Sequence, residues 1–109
     1  MPKPVRVTPP LEKDIEARFL RLLKERKLDI KVRKMNGLGY AAWPDRLIIG
    51  PRGFMMWLEF KRPKVGKLSA GQEAMFMEMG TMGHQVYVHT DALLAVEELE
   101  NLMKLHGTH

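Results

Sequence analysis

Cysteine is absent from the 109 residues. That excludes disulfides, zinc–thiolate centres and cysteine nucleophiles. No run approaches the roughly 18 consecutive apolar residues of a membrane span. The N-terminus also lacks the apolar core of a secretory signal, so the expected location is cytoplasmic. Residues 36–42 form a glycine-punctuated loop without the Gly-Lys-Ser/Thr ending of a phosphate cradle, which argues against a nucleotide cofactor. His84, His89, His106 and His109 have no metal-ligand spacing and read as surface or loop residues. There is no internal repeat and no sign of a second domain.

What is present is a basic balance. Eighteen Lys and Arg against 13 Asp and Glu give a net charge of +5. Such a charge suits a polyanionic partner. Residues 1–10 carry Pro2, Pro4, Pro9 and Pro10 and read as an extended arm. Residues 11–106 read as a single domain.

A helix is expected from about Thr8 to Lys27, with Pro10 in its first turn. Ile15, Phe19, Leu22 and Leu23 make its apolar arc, and Glu12 and Glu16 fall inside that arc. A carboxylate on a core-facing side is costly unless it is paired or binds a metal. Helix N-terminal electrostatics account for Glu12 more readily than for Glu16. Leu28–Met35 alternates and predicts a half-exposed strand with a basic outer face. A helix over about 70–82 carries Met75, Phe76, Met79 and Met82, a stripe that serves either a core or a second subunit. Ser69 and Gln72 fit a capping box. Gln85–His89 reads as a strand with Val86 and Val88 inward, and Asp91 or Thr90 caps a last helix. The order helix, three strands, helix, strand, helix predicts an α/β fold with a mixed central sheet flanked by helices.

The stretch from Trp43 to Lys61 carries the chemistry. It predicts two strands joined at Gly50-Pro51-Arg52-Gly53. Alternation puts Phe54, Met56, Leu58 and Phe60 on one face and Met55, Trp57, Glu59 and Lys61 on the other. A hairpin returns Asp45 to the end of the sheet where Glu59 and Lys61 emerge. Two carboxylates and an ammonium suit a hard divalent cation such as Mg²⁺ acting on a phosphoryl group. By itself Glu-x-Lys is also an ordinary exposed cross-strand pair. Lys64 and Lys67 follow on a loop beside this cluster and are candidate phosphate contacts, or simply solvated charge.

Pro44-Asp45 followed by Glu59-Phe60-Lys61 resembles the PD-(D/E)XK signature of restriction-endonuclease-like enzymes. The wider pattern resembles the VRR-Nuc nucleases. It comprises Glu12 and Glu16 on an early helix, Gly37–Ala42 before Pro44-Asp45-Arg46, Glu59-Phe60-Lys61, the basic segment Lys64–Lys67, Leu68-Ser69-Ala70-Gly71-Gln72, and Gly83–Val88. It spans about residues 11–100. The resemblance implies a metal-dependent endodeoxyribonuclease with Mg²⁺ or Mn²⁺ held by Asp45, Glu59 and the Phe60 carbonyl. It implies catalytic roles for Glu16, Asp45, Glu59, Lys61 and Gln72. From their own type and position, Tyr40 as a stacking group and Arg62, Lys64 and Lys67 on the loop after Lys61 are the candidate DNA contacts. The resemblance further implies a homodimer acting on branched DNA in the manner of Holliday-junction resolvases. The apolar loop before Pro44 departs from the family's small basic loop. The alternative of another class is a non-catalytic nucleic-acid-binding module on the same fold.

Overall fold

A computed structural model describes residues 8–35 and 41–107. The elements run α1 (Glu12–Glu25), β1 (Lys31–Lys34), β2 (Arg46–Ile49), β3 (Met55–Phe60), α2 (Ala70–Thr81), β4 (Val86–His89) and α3 (Ala92–His106), with a 3₁₀ turn at Pro51–Gly53. The expected αβββαβα order is present. The strands lie in the order β1-β2-β3-β4, the first three antiparallel and β4 parallel to β3.

α1 and α3 pack together and cover one face of the sheet. There Ile15, Phe19, Ile48, Met56, Leu58, Phe60, Val96 and Leu99 form a continuous core. The Phe19 and Phe60 rings meet edge to face at 5.2 Å, a favoured quadrupolar arrangement. Burying each such side chain contributes about 1.5–3 kcal/mol. Truncating Phe60, which is 1% exposed, removes about 3–5 kcal/mol. α2 packs against β4 from the other side, with Phe76 and Met79 buried.

Four details depart from the sequence reading. Helix α1 starts at Glu12 with Leu11 at its N-cap, not at Thr8. Successive prolines at positions 9 and 10 disfavour helical backbone in the residues before them, so Pro10 precedes the helix. In β4 the valines are not the inward pair. Its parallel register sets Val86 beside Trp57 and Val88 beside Glu59, while Tyr87 packs on the core. Met82 lies beyond α2 and is 66% exposed, so it does not extend the buried stripe. Two histidines are not free surface residues. His89 is half-buried with Nε2 2.6 Å from Glu98 Oε1, and His106 places Nε2 2.7 Å from the Arg52 carbonyl. His109 lies outside the described residues.

Other local expectations hold. Ser69 and Gln72 make the capping box reciprocally, and Asp91, not Thr90, caps α3 through Leu94 N–H. α2 ends in a Schellman motif, with His84 N–H on Met79 O, Gly83 N–H on Gly80 O, and Gly83 at φ 92°. That left-handed backbone favours glycine.

Candidate active site

The hairpin of β2 and β3 builds the site. Its register pairs Arg46 with Leu58, so Asp45 falls opposite Glu59 at the end away from the turn. The Asp45 N–H donates to Glu59 Oε1 at 2.9 Å. Glu59 Oε2 lies 3.5 Å from Lys61 Nζ. Glu59 is 6% exposed, a buried carboxylate with both oxygens partnered. Met35 N–H donates to the Asp45 carbonyl at 2.6 Å and fixes the strand mouth against the end of β1. The convergence expected of Asp45, Glu59 and Lys61 is therefore present.

α1 adds the third acid. Glu16 accepts from Arg46 Nη2 at 2.9 Å, and the guanidinium Nε lies 4.0 Å from Asp45 Oδ2. Arg46 shares a face of β2 with Ile48, so it points towards α1. Glu16 points back from inside the apolar arc of α1. Each thus partners the other where either alone would be an unpaired, largely buried charge. Glu12, Lys13, Glu16, Lys34, Met35, Ala41, Trp43, Asp45, Glu59 and Gln72 line a common cleft of about 520 Å³. The Trp43 ring meets Trp57 edge to face at 5.6 Å and walls one side.

The electrostatics are those of acids kept from water. Burial is the main cause raising the Asp45 pKa, and Glu16 raises it further through its charge and a side-chain hydrogen bond. Lys34 and Arg46 oppose that rise. Burial likewise raises Glu59, against the opposing Asp45 N–H and the Lys61 ammonium. A divalent cation would relieve both carboxylates, so this donor set fits one. Among the described residues no three or more His, Asp or Glu side chains gather into a ready-made metal cage. One or two carboxylates suffice for Mg²⁺ when waters and substrate phosphate complete its octahedron.

Other expected residues are placed as follows. Gln72 lines the cleft while its Oε1 accepts the Ser69 N–H. Phe60 lies in β3 with its ring in the core. Lys64 and Lys67 are exposed. Their segment is a closed turn and not an open loop, because Gly66 N–H donates to the Arg62 carbonyl at 2.9 Å. A Cβ at Gly66 would stand 2.5 Å from the Arg62 nitrogen, so only glycine closes that turn. Arg62 departs from a free phosphate contact. Its guanidinium group donates to the Pro9 and Pro10 carbonyls at 3.1 and 3.3 Å, tying the segment before α1 to the segment after β3. Tyr40 lies outside the described residues.

Arg46, Lys34 and Lys13 were not assigned to the site from sequence. The signal for Arg46 was its alternation with Asp45, which turns it to the face where Glu16 waits.

A solved structure described as a VRR_NUC domain superposes on this fold with a TM-score of 0.65 and 29% sequence identity. The match covers 78% of this chain and 94% of the other. The chain is thus similar to a VRR_NUC domain in fold and, at 29% identity, in sequence. No family model and no curated protein matches it. That likeness supports a nuclease-type domain. No helix among the described residues is long and apolar enough to cross a membrane.

Proposed function

We propose that this chain is a nuclease of the VRR-Nuc type, a metal-dependent endodeoxyribonuclease that hydrolyses phosphodiester bonds in branched DNA. The observation that carries the reading is the contact between Asp45 N–H and Glu59 Oε1 at 2.9 Å, with Lys61 Nζ 3.5 Å from the other oxygen of Glu59. Asp45 and Glu59 would hold Mg²⁺ or Mn²⁺, with the Phe60 carbonyl as a further ligand. Held there, such a cation would supply Lewis-acid chemistry towards a phosphoryl oxygen and an attacking water.

The chain's own groups then have distinct tasks. Lys61 orients the attacking water and offsets negative charge on the phosphate. Glu16, anchored by Arg46, backs Asp45 from the α1 side. The Gln72 amide, held by its cap bond, presents its nitrogen as a donor for a phosphate oxygen or water. Lys64 and Lys67 contact flanking phosphates. A homodimer would set two such sites on one two-fold assembly, and Met77 and Met82, 71% and 66% exposed, supply apolar surface for it.

The deciding experiment is a Mn²⁺ titration by calorimetry on the wild type, Asp45→Asn and Glu59→Gln, with cleavage of labelled four-way junction and linear duplex in parallel. The expected result is saturable binding and junction-selective cleavage by the wild type alone. Equal cleavage by either variant would remove these acids from the reaction. A non-catalytic binder would gain nothing from two buried acids facing a phosphate, which is why the hydrolytic reading is preferred.

A further inference from the structure

The face of the sheet that carries Asp45 and Glu59 continues away from the cleft. Alternation along β2 puts Leu47 and then Ile49 on that face after Asp45. Leu47 stands between Arg33 and Trp57 in register, and Ile49 between Lys31 and Met55. Lys31 and Arg33 are both exposed on edge strand β1. Among the described residues neither makes an ion pair of 4.0 Å or less. Ile49 is 45% and Met55 40% exposed, so an apolar strip runs beside the two cations. Lys31, Arg33, Leu47 and Ile49 also border a depression of about 380 Å³.

We propose that this outer face of β1 and β2 is a track for an unpaired strand leaving the active site. It rests on the nuclease reading for the position from which the strand departs. Residues two apart on a strand are about 6.6 Å apart, a spacing comparable with that of successive phosphates along a nucleic acid. Arg33 and then Lys31 lie one and two such steps from the row of Asp45 and take the phosphates. Leu47, Ile49 and Met55 form the floor on which unstacked bases lie. A duplex hides its bases and has no use for that floor. A two-fold contact with a second copy would set Lys31 and Arg33 against like charges; of the nearby acids Asp45 and Glu59 are held in the cleft, which leaves only Asp29, beside Lys31, to answer two cations. The occupant that matches both features is therefore a single strand, with a charged backbone and apolar base faces. The substrate class narrows to branched DNA with an unpaired arm beside the scissile phosphate.

The test is fluorescence anisotropy in EDTA, with the full chain and two labelled DNAs: a blunt duplex, and the same duplex with an oligothymidine arm at an internal branch. The wild type is expected to bind the armed DNA at least about tenfold more tightly. Lys31→Gln combined with Arg33→Gln should reduce that preference below about twofold. It should also lower the slope of log affinity against log salt by about 1.4 on the armed DNA, or about 0.7 for each single-strand phosphate lost. Ile49→Asp should give the same selective loss. Equal losses on both DNAs, or an unchanged slope, would overturn the track. So would sedimentation showing that Ile49→Asp dissociates a dimer while the preference survives, since the face would then join copies of the chain. If the wild type cleaves neither DNA with Mn²⁺ yet keeps a charge-dependent arm preference, the nuclease reading falls and the track stands.

Discussion

Asp45 meets Glu59 through its backbone and not through its side chain: the Asp45 N–H donates to Glu59 Oε1 at 2.9 Å. The consequence is a division of labour. The bond fixes the Glu59 carboxylate on the Asp45 main chain, and the Asp45 carboxylate is left to face the cleft beside Glu16. Substitution at position 45 can therefore remove the side-chain acid and keep the hairpin geometry.

That separation makes the first prediction specific. Asp45→Asn and Glu59→Gln should each lower the cleavage rate by roughly 10²–10³-fold, the range seen when one preorganised electrostatic group is lost. Asp45→Asn should leave the circular dichroism spectrum and melting cooperativity unchanged. Single-turnover cleavage at saturating Mn²⁺ reports the rate. A loss under about threefold for either variant would place the chemistry elsewhere.

A pH dependence of stability follows from the same acids. Both have folded-state pKa values above the ordinary carboxylate range, chiefly through burial. The folded state then binds more protons than the unfolded state between the ordinary pKa, about 4, and the raised values. Stability should fall as pH rises through that window, and the penalty persists at neutral pH. Without metal, Asp45→Asn should melt a few degrees higher than wild type at pH 7, with the difference shrinking towards pH 4. Mn²⁺ should stabilise the wild type and not the variant, because only a ligand bound by the native state raises its melting point. Identical melting profiles across pH would contradict this account of the site.

Arg46 and Glu16 support each other across the two layers, with side chains 14% and 16% exposed. Removing one partner strands the other. Arg46→Met should cost roughly 1–3 kcal/mol, less than a fully buried pair loses because water reaches part of this one. Glu16→Gln combined with Arg46→Met should recover part of that loss in a double-mutant cycle. Urea denaturation measures both. Additive effects would show that the two side chains are not coupled.

Much of this architecture was legible because it is local. The hairpin, the alternation of Phe54 to Phe60, the Ser69–Gln72 box and the Asp91 cap are all set by neighbours within a few residues. Asp45 came back to Glu59 because a hairpin leaves few other registers. What the sequence hid is what distant segments decide. The facing of Val86 and Val88 depends on the parallel register of β4 against β3, which no turn fixes. Arg62 reads as a free cation until the chain brings Pro9 and Pro10 to it across 53 and 52 residues. Arg46 and Glu16 were each visible as a charge near apolar neighbours, but a bond spanning 30 residues is not written in either helix or strand periodicity.

The two kinds of cation after β3 should separate in a salt titration. Lys64 and Lys67 are exposed, whereas Arg62 donates to the chain's own carbonyls. Lys64→Ala with Lys67→Ala should flatten the slope of log affinity against log salt by about 1.8 on duplex DNA, roughly 0.9 per phosphate. Arg62→Ala should change that slope little and instead speed hydrogen exchange in the first turn of α1, which its anchor precedes. A slope change of about 0.9 from Arg62→Ala would show that Arg62 leaves the prolines for DNA.

Gln72 offers the cleanest separation of structure from chemistry. Its Oε1 accepts the Ser69 N–H at 3.1 Å, while its backbone N–H donates to Ser69 Oγ at 3.1 Å. The same side chain lines the cleft. The capping box needs only an acceptor at this position, and Glu serves it as well as Gln. Catalysis, if Gln72 takes part, needs the amide nitrogen as a donor to a phosphate oxygen or water. Gln72→Glu should therefore keep the melting temperature within about 2 °C, a shift well under that of a lost cap. It should nevertheless lower cleavage by at least about tenfold, since it replaces a donor with a charge that repels phosphate. Gln72→Ala should lose the donor and also the Ser69 N–H bond, at a cost of about 0.5–1.5 kcal/mol, while the Ser69 Oγ cap on the backbone N–H of residue 72 remains. Thermal melts and single-turnover cleavage on the two variants decide the matter. If Gln72→Glu cleaves like the wild type, Gln72 is a capping residue that happens to border the cleft, and the donor for the phosphate must come from Lys61 or the Lys64–Lys67 turn.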